Sequence, residues 1–203
     1  CSINCFFSLE LGLIFINCDD KVDKISNDSV GEINIPSIEK NILNQSFKYK
    51  MGILYFNNKP YSGVVNEFYE NESLKSKSEY YNGKREGDYF GWYANGSKWF
   101  QRFYSKGIKV KTHKGWFKNG QQMFEYQINN KGVYDGFVKD WHLNGQIAKH
   151  FNFLNGKETG SQKMWKPNGK IRANFYTVEG ERFGLIGLKN CVSVLSKNKE
   201  NEI

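Results

Sequence analysis

The chain has 203 residues, of which 39% are hydrophobic, 16% aromatic and 25% charged, with 20 glycines and only three prolines. That balance excludes wholesale disorder, collagen and a polytopic membrane protein, and it favours sheet and tight turns over helix bundles. The formal charge of +8 comes from 25 Lys against only 4 Arg. Asn, Ile and Phe, whose codons are also A/T-rich, are abundant too, so base bias competes with polyanion binding as the cause of the charge.

Residues 1–18 (CSINCFFSLELGLIFINC) are mostly apolar, lack Lys and Arg, and carry one acid, Glu10. So short a stretch with an internal acid reads as the tail of an export signal rather than as a membrane-crossing helix. Phe15-Ile16-Asn17-Cys18, followed by Asp19 and Asp20, resembles a relaxed bacterial lipoprotein cleavage site. The resemblance implies cleavage before Cys18 and lipidation of its thiol, which gives a membrane tether and a place in the cell envelope. Cytoplasmic residence with an uncleaved apolar N-terminal segment is the alternative. Cleavage there leaves Cys191 as the sole thiol and excludes a disulfide within one molecule. Residues 19–46 mix Asp, Lys, Asn and Ser with isolated isoleucines and Pro36, and they read as a flexible linker.

From residue 47 to 184 the chain repeats. Aromatic anchors fall at Phe68, Trp92, Trp116, Trp141 and Trp165, spaced by 24, 24, 25 and 24. Three residues beyond each anchor stands an Asn (Asn71, Asn95, Asn119, Asn144, Asn168), followed by Gly in every unit but the first. Five residues before the anchors come Gly63, Gly87, Lys111, Gly136 and Gly160, and the series continues to Gly184. A second turn glycine recurs at Gly83, Gly107, Gly132, Gly156 and Gly180. One extra residue in the Ile128–Lys131 stretch accounts for the longer spacing.

Asn-Gly suits a type I′ hairpin turn, whose two central residues both need φ > 0. Apolar and polar residues tend to alternate between turns, as at Phe124, Tyr126 and Ile128. Each unit therefore reads as two short antiparallel strands and two turns. A lone hairpin is barely stable, so the units must stack, with the aromatic row buried between neighbours. The expected fold is all-β: an elongated single-layer antiparallel sheet of stacked ~24-residue hairpins, about 50 Å long at the usual strand spacing. The half-unit Tyr55–Gly63 is expected to start the sheet. Residues 185–203 form a C-terminal cap and tail, with 185–194 covering the last edge.

Tyr81–Gly96 (YNGKREGDYFGWYANG) and Leu154–Gly169 (LNGKETGSQKMWKPNG) are the clearest copies. Their Tyr/Trp-x-x-Asn-Gly core and closing Gly before the next aromatic resemble the MORN-repeat variant over residues 55–184. Bacterial proteins built from this repeat include a YwqK-like family labelled as antitoxin. The resemblance implies a repeat protein with a protein partner, or a scaffold at a lipid surface.

No catalytic constellation is expected. His113, His142 and His150 form no HxxxH or HExxH spacing, so no metal site and no cofactor are expected. His142 follows an anchor where other units carry Tyr69, Tyr93, Phe117 and Lys166, and it reads as a tolerated substitution. Glu70, Glu72, Glu79 and Glu86 read as a solvated face, not a glycosidase pair. The periodic tryptophans read as packing between units, and Trp99, outside that row, as the better exposed contact.

Lys98, Arg102, Lys106, Lys109, Lys111, Lys114 and Lys118 form a basic stretch that no acid interrupts. Together with Trp99 they make the candidate interaction surface. Such a stretch can attract anionic lipid; scarce Arg argues against nucleic acid. The expected function is thus a non-enzymatic, envelope-tethered protein making protein or surface contacts. The alternatives are an antitoxin-like binder of a partner protein and an anionic-lipid or polyanion binder.

Overall fold

The computed structural model describes residues 33–187, which lie almost wholly within one compact unit, Asn34–Ile203. Cys18, the export-signal segment, Cys191 and the tail from residue 188 lie outside the described residues.

Among the described residues sixteen strands follow in chain order: β1 (Glu39–Asn41), β2 (Phe47–Lys50), β3 (Ile53–Phe56), β4 (Lys59–Pro60), β5 (Gly63–Phe68), β6 (Leu74–Tyr81), β7 (Lys84–Trp92) and β8 (Lys98–Ser105). They continue as β9 (Ile108–Trp116), β10 (Gln122–Ile128), β11 (Tyr134–Trp141), β12 (Ile147–Leu154), β13 (Lys157–Glu158), β14 (Gly160–Trp165), β15 (Ile171–Val178) and β16 (Glu181–Leu185). Thirteen of them form one open sheet in the order β1-β5-β6-β7-β8-β9-β10-β11-β12-β14-β15-β16, with β13 beside β12. From β5 onward spatial order follows chain order and the pairing is antiparallel, as stacked hairpins require.

The N-terminal end differs from the expectation in two ways. Tyr55–Gly63 does not start the long sheet, because β2, β3 and β4 pair among themselves as a separate three-stranded sheet. The linker also ends earlier than residue 46, since β1 pairs in parallel with β5, placing Glu39, Lys40 and Asn41 opposite Val64, Val65 and Asn66. The cause is a local core. Leu54, Tyr61, Val65 and Tyr80 are buried together, with Ile42, Phe47 and Phe56 packed against them. Phe47 meets Phe56 and Tyr61 edge to face, an arrangement the ring quadrupole favours. The Tyr61 hydroxyl donates to the Ile38 carbonyl at 2.8 Å, fixing the incoming chain.

The two turn classes are physically distinct. At Asn82-Gly83, Lys106-Gly107, Asn155-Gly156 and Glu179-Gly180 both residues have positive φ, as a type I′ turn demands. The turns after the anchors do not follow that expectation. There only the residue after Asn takes positive φ, as at Gly96 (80°) and, in the unit without that glycine, at Glu72 (63°), and the Gly96 amide donates to the Tyr93 carbonyl at 2.8 Å. This is a type I turn closed by a left-handed residue. Its Asn is required for another reason: the side-chain oxygens of Asn71, Asn95, Asn119, Asn144 and Asn168 each accept the amide two residues on, at 3.1–3.2 Å. The one 25-residue spacing is a change of turn class. Asn129 and Val133 close a three-residue loop, Gly132 donating to Asn129 at 3.0 Å, where other units use a two-residue loop.

The series ahead of the anchors marks bulges. Gly87, Gly136 and Gly160 all have positive φ, and Lys111 holds the same place at φ 62°. Lysine at that backbone costs on the order of 1 kcal/mol relative to glycine.

Candidate functional site

Cross-strand register gives the long sheet two unlike faces. One is aromatic. On it Tyr89 packs against Phe100 and Tyr104, Phe124 stacks on Tyr126, and Phe151 meets Phe175 edge to face. Phe100, Tyr104 and Phe175 are buried there, as is Tyr80. Cations lie over these rings: Arg102 is 4.4 Å from the Phe100 centroid and Arg182 5.1 Å from that of Phe175.

The buried row is therefore not the periodic tryptophans. Trp92, Trp116, Trp141 and Trp165 are half-buried at the strand ends that lead into the turns. Their main chains join the units instead. Tyr69 and Tyr93 hydroxyls donate to the carbonyls of Trp92 and Trp116, both at 2.9 Å. His142 takes the tyrosine's place two units after Tyr93, its Nε2 lying 2.9 Å from the Trp165 carbonyl. Trp99 is half-buried rather than freely presented, against Tyr93 and Phe100.

Each bulge needs a polar side chain, because it leaves backbone amides without a ladder partner. Glu79 accepts the Asp88 amide and Gln127 the Phe137 amide, both at 2.9 Å. Gln162, fully buried, accepts the Asn152 amide and donates to the Asn152 carbonyl, each at 2.9 Å. His113, 3% exposed, fills the corresponding place against Phe103, its Nε2 2.9 Å from the carbonyl and 3.2 Å from the amide, where one ring nitrogen donates to the first or accepts from the second.

Burial holds the His113 imidazole below the ordinary histidine range, helped by Arg102 and Lys109. A folded pKa below the unfolded one means that the unfolded chain binds the proton first. Stability is then fully present above the unfolded value near 6.5 and falls as pH drops through and below it. His150 is lowered too and adds to the same slope. Unfolding followed in urea should give a midpoint that declines below pH 6.5, and His113→Gln should make that decline shallower. An unchanged pH slope in the variant would refute the assignment.

The basic stretch read from the sequence does not come together. Lys106 and Lys109 lie at the type I′ turn of one sheet edge, and Lys118 lies in an Asn-Gly turn at the opposite edge. Arg102 sits over Phe100 on the aromatic face. The other face holds Lys98 over Trp116, Lys111 over Phe103, and Lys114, which pairs with Glu125 at 3.4 Å.

The structure gathers a different set on that second face. Register places Gln101 beside Lys114, Lys114 beside Glu125, Glu125 beside Lys139, Lys139 beside His150, and His150 beside Lys163. Directly opposed residues lie about 5 Å apart, so this is one continuous row across six strands with a single acid. Lys139 also lies 4.1 Å from the Phe137 centroid. No family model and no curated protein matches the chain. His150, between Lys139 and Lys163, is held below the ordinary histidine range first by burial and then by those two charges. The row was present in the sequence as a fifth position class: Lys114, Lys139 and Lys163 each stand two residues before a tryptophan anchor. The contiguous run of lysines masked it.

Proposed function

We propose that this chain is a non-enzymatic, MORN-like repeat protein, tethered to a cell envelope through Cys18, whose open sheet is a platform for an anionic partner surface. The in-register row Lys114–Lys139–His150–Lys163 carries the reading. Cations on alternate strands stand about 10 Å apart, close to the screening length at physiological salt, so they act together on one extended anionic surface. The tether rests on Cys18 and its acidic neighbours.

Cosedimentation with phosphatidylglycerol vesicles tests the platform, with phosphatidylcholine vesicles as control. At about 1 kcal/mol per lysine near an anionic surface, Lys114→Gln, Lys139→Gln and Lys163→Gln together should weaken binding about a hundredfold. Binding should also fall with added salt. Gln at Lys106, Lys109 and Lys118, on the sheet edges, should cost less. Equal binding by the two triple variants would remove the row from the function. Mass spectrometry of protein from its own cells should find lipid on Cys18; an unmodified Cys18 still joined to residues 1–17 would refute the tether.

A further inference from the structure

Away from the lysine row, the junction between the small sheet and the long one forms an open cavity of about 500 Å³, lined by Ile42, Phe47, Tyr49, Leu54, Tyr80 and Arg85. That size falls within the range of small-molecule sites. Among the described residues most of the lining is apolar or aromatic, and Arg85 is its one charge.

The state of Arg85 distinguishes this cavity. Its guanidinium is fixed among three tyrosine rings, 4.7 Å from the Tyr89 centroid and 5.7 Å from those of Tyr80 and Tyr104. It makes no ion pair with any described residue, and its buried Nε finds no hydrogen-bond partner among them. Tyr80 supplies no counter-charge, since burial raises its phenol further above the ordinary tyrosine range. Arg182, which lines another cavity, is by contrast already satisfied by both oxygens of Glu158. A partly buried cation without a partner is costly, and an incoming anion relieves that cost. A planar guanidinium held among aromatic rings suits a carboxylate, which it can bind through two parallel hydrogen bonds.

We propose that this cavity binds an apolar monocarboxylate, its acid group on Arg85 and its hydrocarbon against Ile42, Phe47 and Leu54. The chemistry is shared by a free medium-chain acid and by the C-terminus of a peptide ending in an apolar residue. One guanidinium in an apolar lining balances the single charge of a carboxylate and leaves the second charge of a phosphate monoester uncompensated.

Calorimetric titration of the full chain with decanoate, with decanol, and with a tripeptide ending in leucine tests the site. Decanoate should bind, and Arg85→Met should weaken it at least tenfold while leaving decanol unaffected. Tyr49→Ser, at an exposed position on the rim, should weaken decanoate without disturbing the fold. This covers the event that Arg85→Met unfolds, which its thermal transition would reveal. Binding of the tripeptide, lost on amidating its carboxyl group, assigns the site to peptide ends; decanoate alone assigns it to free acids. Failure of both to bind, or equal affinity for decanoate and decanol, overturns the proposal. None of these results bears on the lysine row, which lies elsewhere on the sheet.

Discussion

Gly115→Ala is expected to lower the free energy of unfolding by about 2–3 kcal/mol, the range of overpacked interiors. Gly115 lies directly across from Phe124 in β10, and a Cβ built on it would land inside the Phe124 ring. Gly91 stands in the same relation to Phe100 in β8. Neither glycine has positive φ, so the effect is one of space and not of backbone freedom. Each ring occupies the space beside the bare strand that a methyl group would need. Gly91→Ala should behave alike, and in urea both should shift the midpoint without changing the slope. The Phe124→Ala and Gly115→Ala changes combined should cost less than the sum of the two, because removing the ring frees the space that the methyl group needs. Additivity within about 0.5 kcal/mol would show that ring and glycine do not compete.

Gln162→Leu is the second large effect, expected at about 3 kcal/mol. Gln162 is fully buried and serves the Asn152 amide and carbonyl together with the Thr159 carbonyl. Leucine has nearly its volume and none of its hydrogen bonds, so two or three main-chain groups would stay buried and unpaired, at about 1–3 kcal/mol each. Partial relaxation keeps the total below the sum. Hydrogen exchange at the Asn152 amide should accelerate in step with the loss of stability. Gln162→His should be milder, because a histidine, His113, fills the corresponding place two bulges earlier in the sheet. A leucine variant as stable as the parent would mean that the bulge is solvated and needs no plug.

The repeat was legible because its signals are backbone signals. Glycine at a left-handed position and Asn beside it are required wherever the turn occurs, so they recur at fixed spacing and reveal the hairpins. The turn class was harder to read. Asn-Gly serves both a type I′ turn, as at Asn82-Gly83, and the turn after an anchor, as at Asn95-Gly96, and only the φ of Asn separates them. The bulge plugs left no sequence signal. Glu79 and Gln127 come from one strand of the pair, His113 and Gln162 from the other, so no column of the repeat holds a common residue. Tryptophan misled through its size: a large periodic ring suggests a core, yet the buried places went to Phe100, Tyr104 and Phe175 on the opposite register. Proximity along the chain misled in the same way for Lys98–Lys118, since neighbours in a strand point to opposite sides while a lysine 25 residues away stands two strands over.

Strand order that follows chain order has a kinetic consequence. From β5 to β16 the strands pair in chain order, β14 returning to β12 past the two-residue β13, so within this run no pairing waits on a distant part of the chain. Such a ribbon is expected to assemble by zippering from any well-formed hairpin and to fray one hairpin at a time from β16. It can therefore gain or lose a whole unit by gene duplication or deletion without a new topology having to be found.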